Sequence, residues 1–340
     1  MSPSSNLVVL QSNDAGQNEL LVLRRAADGT VAALGSVPTK GTGSGTPHLP
    51  SQGSVVVTGD GRHVLVTDAG SGDLAVLDVG DTGVELAQTL AVGAAPRSVA
   101  EHDGLVYVLA TGEPALVGFR RQGDAFVALP AARRALPADA DPAQVGFGPD
   151  GSVLVVTARG RDEVLTFPVD ADGLLGEAVV TPSAGPTPYG FAVSPQGVLV
   201  VTEAFRAEKG RAAASSYRLG AGAPSVVSSS LGNGRSEICW AAVTPDGRHV
   251  FTTNFADGAV SHWAIGAGGA LTLVQAVAGV TEDGRPGLRD AALSRDGRHL
   301  HVLDADAGEL VTWSVDADGG LTPIGSTGGL PATAAGLAAG

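Results

Sequence analysis

One unit recurs along this 340-residue chain. It consists of a D-G or Q-G pair, an apolar run, a polar gap and a second alternating run. It reads Asp60-Gly61-RHVLVTDAGSGDLAVLDV, Asp103-Gly104-LVYVLATGEPALVGFR and Asp150-Gly151-SVLVVTARGRDEVLTFPV. It continues as Gln196-Gly197-VLVVTEAF, with a longer gap before Ser215, and returns as Asp246-Gly247-RHVFTTNFADGAVSHWAI and Asp296-Gly297-RHLHVLDADAGELVTWSV. A weaker copy, Leu7-VVLQSNDAGQNELLVL, opens the chain. The glycines at 61, 104, 151, 197, 247 and 297 lie 43 to 50 residues apart. That period belongs to propeller blades of four strands each. The D-G pairs are hairpin turns, and runs such as HVLVT and VLVVT are short and β-branched, hence strands.

Upstream of each D-G turn lies a third element rich in small residues: Gln52-GSVVVTG, Pro96-RSVAEH, Pro142-AQVGFGP, Pro188-YGFAVSP, Ile238-CWAAVTP and Leu288-RDAALSR. Small side chains suit the innermost strand, where blades converge. A seventh copy, Pro331-ATAAGLAA, stands at the C-terminus with no hairpin after it, while the N-terminus supplies strands with no first strand. The two ends are expected to complete one shared blade, which removes an exposed sheet edge. The expected fold is all-β: a single seven-bladed propeller over residues 1–340.

The hairpin core resembles the YVTN-type propeller repeat. Across nearly the whole chain, PAQVGFGPDG, PYGFAVSPQGVLVVTEA, SSYRL, CWAAVTPDG and GLPATAAGLAAG resemble the lactonase-type propeller family. That family includes 6-phosphogluconolactonase-like proteins and carboxymuconate-lactonizing enzymes. The resemblance implies a small-molecule enzyme that hydrolyses a lactone or closes one. In the lactonizing members a His, a Glu and two Arg serve the chemistry. Glu203 matches the Glu. The His falls near Ala143-Gln144, one Arg near Pro188-Tyr189 and the other near Asn254-Phe255, so those three roles are not matched. The alternative is a propeller that binds a small molecule or a protein at the same mouth without catalysis.

In a propeller the ends of the second strands and the starts of the first share one face, and strand ends on a rigid scaffold carry function. The repeats align Asp68, Ala110, Ala158, Glu203, Asn254 and Asp304 at one second-strand end. Glu203 is expected to aim at the central opening as acid/base. His48, in the long segment Gly41–Pro50, is its expected partner. Asp68 and Asn254 either join this polar ring or cap the turn beside them. The first strands contribute Gln144, Tyr189, Trp240, Asp290 and the pair Arg97 and Arg289. The two arginines would hold an anionic substrate by forked hydrogen bonds, and the aromatics would floor the pocket. Packing, or an Arg289–Asp290 pair, is the competing reading for these residues. The insertion Ala204–Ala214 is read as an overhanging lid or as a surface loop.

Lys+Arg number 21 against Asp+Glu 35, a net charge of −14, and no basic run is present. Nucleic acid and anionic membranes are therefore not expected partners. The seven histidines show no zinc-like spacing, and no metal or other cofactor is expected. Cys239 is the single cysteine, so no internal disulfide forms. No secretory signal and no apolar run of about 20 residues is seen. A soluble, cytoplasmic monomer is expected, although a removed signal would leave the same sequence.

Overall fold

The computed structural model describes residues 5–47, 49–81, 83–220, 222–281 and 284–340. Every D-G turn reverses the chain tightly because its glycine takes the left-handed conformation, as at Gly61 (φ 71°), Gly247 (φ 72°) and Gly297 (φ 69°). The strands on either side pair antiparallel, and the pattern repeats to give seven four-stranded sheets.

Blade 1 joins the two chain ends, with Ala335–Ala339 innermost and then Leu7–Gln11, Glu19–Arg25 and Val31–Pro38. The innermost strands of blades 2 to 7 are Val55–Val57, Pro96–His102, Pro142–Phe147, Pro188–Val193, Ile238–Val243 and Leu288–Leu293. Their second strands are His63–Asp68, Leu105–Ala110, Val153–Ala158, Val198–Glu203, His249–Asn254 and His299–Asp304. Ring closure through the C-terminal strand is as expected. That strand starts later than the apolar pattern suggests, because Ala334 N–H bonds Pro331 O at 2.9 Å and folds Pro331–Ala334 into a turn.

Side chains on a strand alternate between its two faces, and each blade face meets a neighbouring blade. In blade 2, Val64 and Val66 pack towards blade 1 while Leu65 packs towards blade 3. Each of the seven blade junctions carries one such apolar cluster. The core is thus a set of radial seams, and little of it faces the axis.

The inner strand of blade 2 is only three residues long, and the segment before it crosses the axis. Gln52 Nε2 donates to Ala241 O at 2.8 Å, and Ala241 N–H donates to Gln52 Oε1 at 3.1 Å, so blade 2 is tied to blade 6. Ser51 Oγ donates to Ala143 O of blade 4. Trp240 Nε1 donates to Ser51 O at 3.3 Å. A Cβ on Gly190 would lie 2.4 Å from Gln52 Oε1 and from Cys239 O, so the glycine makes room for this crossing. Leu49–Gly53 therefore plugs the channel below the mouth.

Candidate functional site

The inner strands break their pairing just after they enter the blade. Register shifts fall between Pro96 and Ser98, Pro142 and Gln144, Pro188 and Phe191, Ile238 and Ala241, and Leu288 and Ala291. Bulges of this kind re-aim side chains. Here they present Arg97, Ala143, Tyr189, Cys239 and Arg289 from five successive blades. Ala143, Tyr189, Ala204, Cys239 and Trp240 form a small buried cluster with Phe255 against it. Tyr189 meets Trp240 edge-on, with ring centroids 5.8 Å apart.

Three guanidiniums stand around this cluster. Arg159 lies 4.6 Å above the Tyr189 ring and pairs with Asp141 at 2.7 Å. Arg289 lies 5.4 Å from the Phe255 ring centroid and pairs with Asp306 at 2.8 Å, yet its Nε and Nη1 are buried without a hydrogen-bond partner among the described residues. Arg97 is half-buried, and its Nε is likewise unpartnered. Burial lowers the pKa of Arg97, helped by Arg159, and burial also lowers that of Arg289. Burial raises the Tyr189 hydroxyl, and Cys239 adds to the effect. Burial raises the Cys239 thiol, and Glu237 adds to it. Both groups are thus neutral near pH 7. Asp290 is pushed up to about 7 by burial, against the opposing pull of a 2.9 Å bond from Gly336 N–H and of Arg289.

The expected ring of second-strand ends is placed elsewhere. Glu203 takes the alternation of Leu199 and Val201, which face blade 4, so its carboxyl enters that seam. Glu203 Oε1 accepts from Gly185 N–H at 2.8 Å and from Ser215 Oγ. Ser215 belongs to the third strand, so the carboxyl is engaged on the side away from the axis. It is fully buried and does not join Gln144, Tyr189 and Trp240. Burial raises its pKa. Asp68 behaves alike, accepting from Asn18 Nδ2 and Thr39 Oγ1 of the preceding blade and link at 2.8 Å each. Asn254 Oδ1 accepts from Asn233 at 2.8 Å, again in the preceding link. These side chains hold the chain entering their own blade, and alternation keeps them off the mouth.

Gln144 is also consumed: its amide bonds Phe191 O at 3.0 Å and accepts from Phe191 N–H at 2.6 Å, which staples blade 4 to blade 5. Trp240 is wholly buried. His48 lies outside the described residues. Asp290, like Gln144, is an inter-blade staple: it accepts from Gly336 N–H at 2.9 Å and lines the cavity beneath the plug with Gln52, Gly53 and Gln144. Arg97, Tyr189 and Arg289 do gather near the mouth. Arg159, Asp141 and Phe255 join them without having been anticipated. Arg159 and Phe255 each stand one residue beyond the aligned second-strand ends, where the chain leaves the sheet and its side chains are free of the seams. In the insertion, Phe205–Ala207 makes a tight turn with left-handed backbone (φ 48°, 49° and 62°), held by Arg206 to Asp162 of blade 4 at 2.6 Å. No group of three or more metal-ligating side chains occurs among the described residues.

The family model for seven-bladed β-propeller lactonases matches residues 15–205 and 203–335. Among solved structures, the chain is similar to a periplasmic gluconolactonase of Pseudomonas aeruginosa at 17% identity and a TM-score of 0.71, covering 98% of each chain. It is similar to a Bacteroides uniformis protein whose 6-phosphogluconolactonase assignment is itself provisional, at 18% identity and a TM-score of 0.74, covering 97% of this chain and 99% of that one. A Lactobacillus plantarum protein gives 15% identity and a TM-score of 0.76, with 98% of each chain covered. No curated protein matches the sequence.

Proposed function

Because this chain belongs to the seven-bladed β-propeller lactonase family, we propose that it binds an anionic hydroxy-acid lactone at the arginine-rimmed mouth and opens its ring ester. Arg289 supports this reading most: it is buried, and two of its donors have no partner among the described residues. An unmade bond from a buried donor costs about 1–3 kcal/mol. A carboxylate or phosphate oxygen would recover that cost, and a guanidinium fork suits such a group. The Pseudomonas aeruginosa gluconolactonase points to sugar-acid lactones as the substrate class.

In ring opening, water adds to the ester carbonyl, the ring C–O bond breaks, and the departing alkoxide takes a proton. Guanidinium donors offset the charge that builds on the carbonyl oxygen. The second reading, binding without turnover, draws on the seam position of Glu203, the one residue that matches the family's catalytic set.

The test is a lactone screen with gluconolactone, 6-phosphogluconolactone and muconolactone, read above spontaneous hydrolysis. Arg289→Met should lower kcat/KM by about 10–100-fold. Saturable binding of these lactones with no turnover would favour the second reading. Neither binding nor turnover would defeat both.

A further inference from the structure

On the face opposite the mouth we propose a second ligand site, an oxyanion pocket between blades 7 and 1. A cavity of about 740 Å³ opens there, lined by Asn6, Arg25, Asp296, Arg298 and His299 among others. Its size is that of a small-molecule pocket. Arg25, at the end of Glu19–Arg25, is 8% exposed. Its one side-chain hydrogen bond among the described residues is a long contact from Nη2 to Asn6 Oδ1 at 3.4 Å, and the Asp296 carboxylate, which feels its charge, forms no ion pair with it among the described residues. A buried guanidinium with no direct ion pair is costly, and an anion in the cavity would reduce that cost.

The repeat supplies an internal control. The sequence D-G-R-H occurs three times, at 60–63, 246–249 and 296–299. In blade 2, Arg62 pairs with Asp124 at 3.1 Å and His63 with Asp78 at 2.8 Å. In blade 6, Arg248 pairs with Asp246 at 2.7 Å and His249 meets His262 at 2.9 Å. In blade 7 neither residue is so engaged. The Arg298 side chain makes no hydrogen bond among the described residues, and His299 Nδ1 is buried without a partner. Asp296 spends Oδ1 inside its own turn, accepting from Ser294 Oγ at 2.6 Å and Arg298 N–H at 3.1 Å, while its Oδ2, which in blades 2 and 6 pairs with an arginine, makes no hydrogen bond among the described residues and lines the cavity beside the cations. Arg295, which also lines the cavity, donates to Gly59 O. Two forked cations and an imidazole thus converge on one cavity of a chain with net charge −14. That donor set fits a multiply charged oxyanion, of phosphate-monoester or dicarboxylate kind.

The full chain should be titrated with inorganic phosphate and, separately, with malonate by calorimetry at low ionic strength. Saturable binding is expected in at least one arm, and the arm that binds names the class. Arg298→Ala and Arg25→Met should each weaken it at least about tenfold, while Arg97→Met at the mouth should leave the component lost in Arg298→Ala unchanged. Arg298 is exposed, so its variant decides the matter if Arg25→Met does not fold. Failure of both probes to saturate wild type, or wild-type affinity in Arg298→Ala, would overturn the site.

Discussion

Asp68 and Glu203 are buried carboxyls that accept hydrogen bonds from neutral donors, so the folded state favours their protonated forms. For Asp68 the folded pKa is about 6, raised chiefly by burial. The folded protein then binds a proton that the unfolded chain has released. Its contribution is present below about pH 4 and is lost as pH rises through about 6. Asp68→Asn keeps the Oδ1 acceptor for Asn18 and Thr39 and removes the charge. It is expected to raise stability at pH 8 by about 1–3 kcal/mol and to flatten that slope, as read from urea midpoints between pH 4 and 8. Glu203→Gln likewise keeps the acceptor for Gly185 and Ser215. Turnover of any confirmed lactone should be unchanged and Tm equal or higher. A hundredfold loss of rate would instead mark Glu203 as a proton-transfer group. The side chains at issue were legible as types in the sequence, but their directions were not. A strand alternates by single residues, so aligning the mouth at Asp68, Glu203 and Asn254, one position early, selected the seam residues and passed over Arg159 and Phe255.

The elements were easier to read than the site, because D-G turns and β-branched runs are local signals whereas convergence at the axis is not. The shared blade could be foreseen from a lone inner strand at one end and its missing counterpart at the other. Removing Pro331–Gly340 exposes the edge of Leu7–Gln11 and should lower Tm by more than about 10 °C, since each kcal/mol moves Tm by about 2–4 °C in chains somewhat shorter than this. An unchanged melting curve would show that closure contributes nothing. The plug was not foreseen, for Leu49–Gly53 reads only as a link, and its partners Ala143 and Ala241 lie far along the chain. Gly190→Ala tests it directly. The new methyl would meet Gln52 Oε1 and Cys239 O, and a loss of about 1–3 kcal/mol is expected by denaturant titration.

Across the whole molecule two sets of buried groups oppose each other as pH changes. His262 is held down to about 4 by burial and by His249, and His301 to about 3 by burial and by Arg25. The unfolded chain protonates these imidazoles below about 6.5 while the folded one does not, so their contribution is lost as pH falls. The carboxyls Asp68 and Asp290 lose theirs as pH rises. The stability profile should therefore be shallow between about pH 4 and 6.5, and His262→Gln should lift its acid side. The plugged hub has a further consequence. Five inner amides each donate to an acceptor on another blade: Val99 to Gly53 O, Val145 to Ser98 Oγ, Phe191 to Gln144 Oε1, Ala241 to Gln52 Oε1 and Gly336 to Asp290 Oδ2. None of these amides can meet solvent by the fraying of its own blade, since its acceptor is carried by a different one. In deuterated buffer all five should keep their protons until the entire ring opens, and should then exchange together at one rate, as a circuit fails when any link is cut.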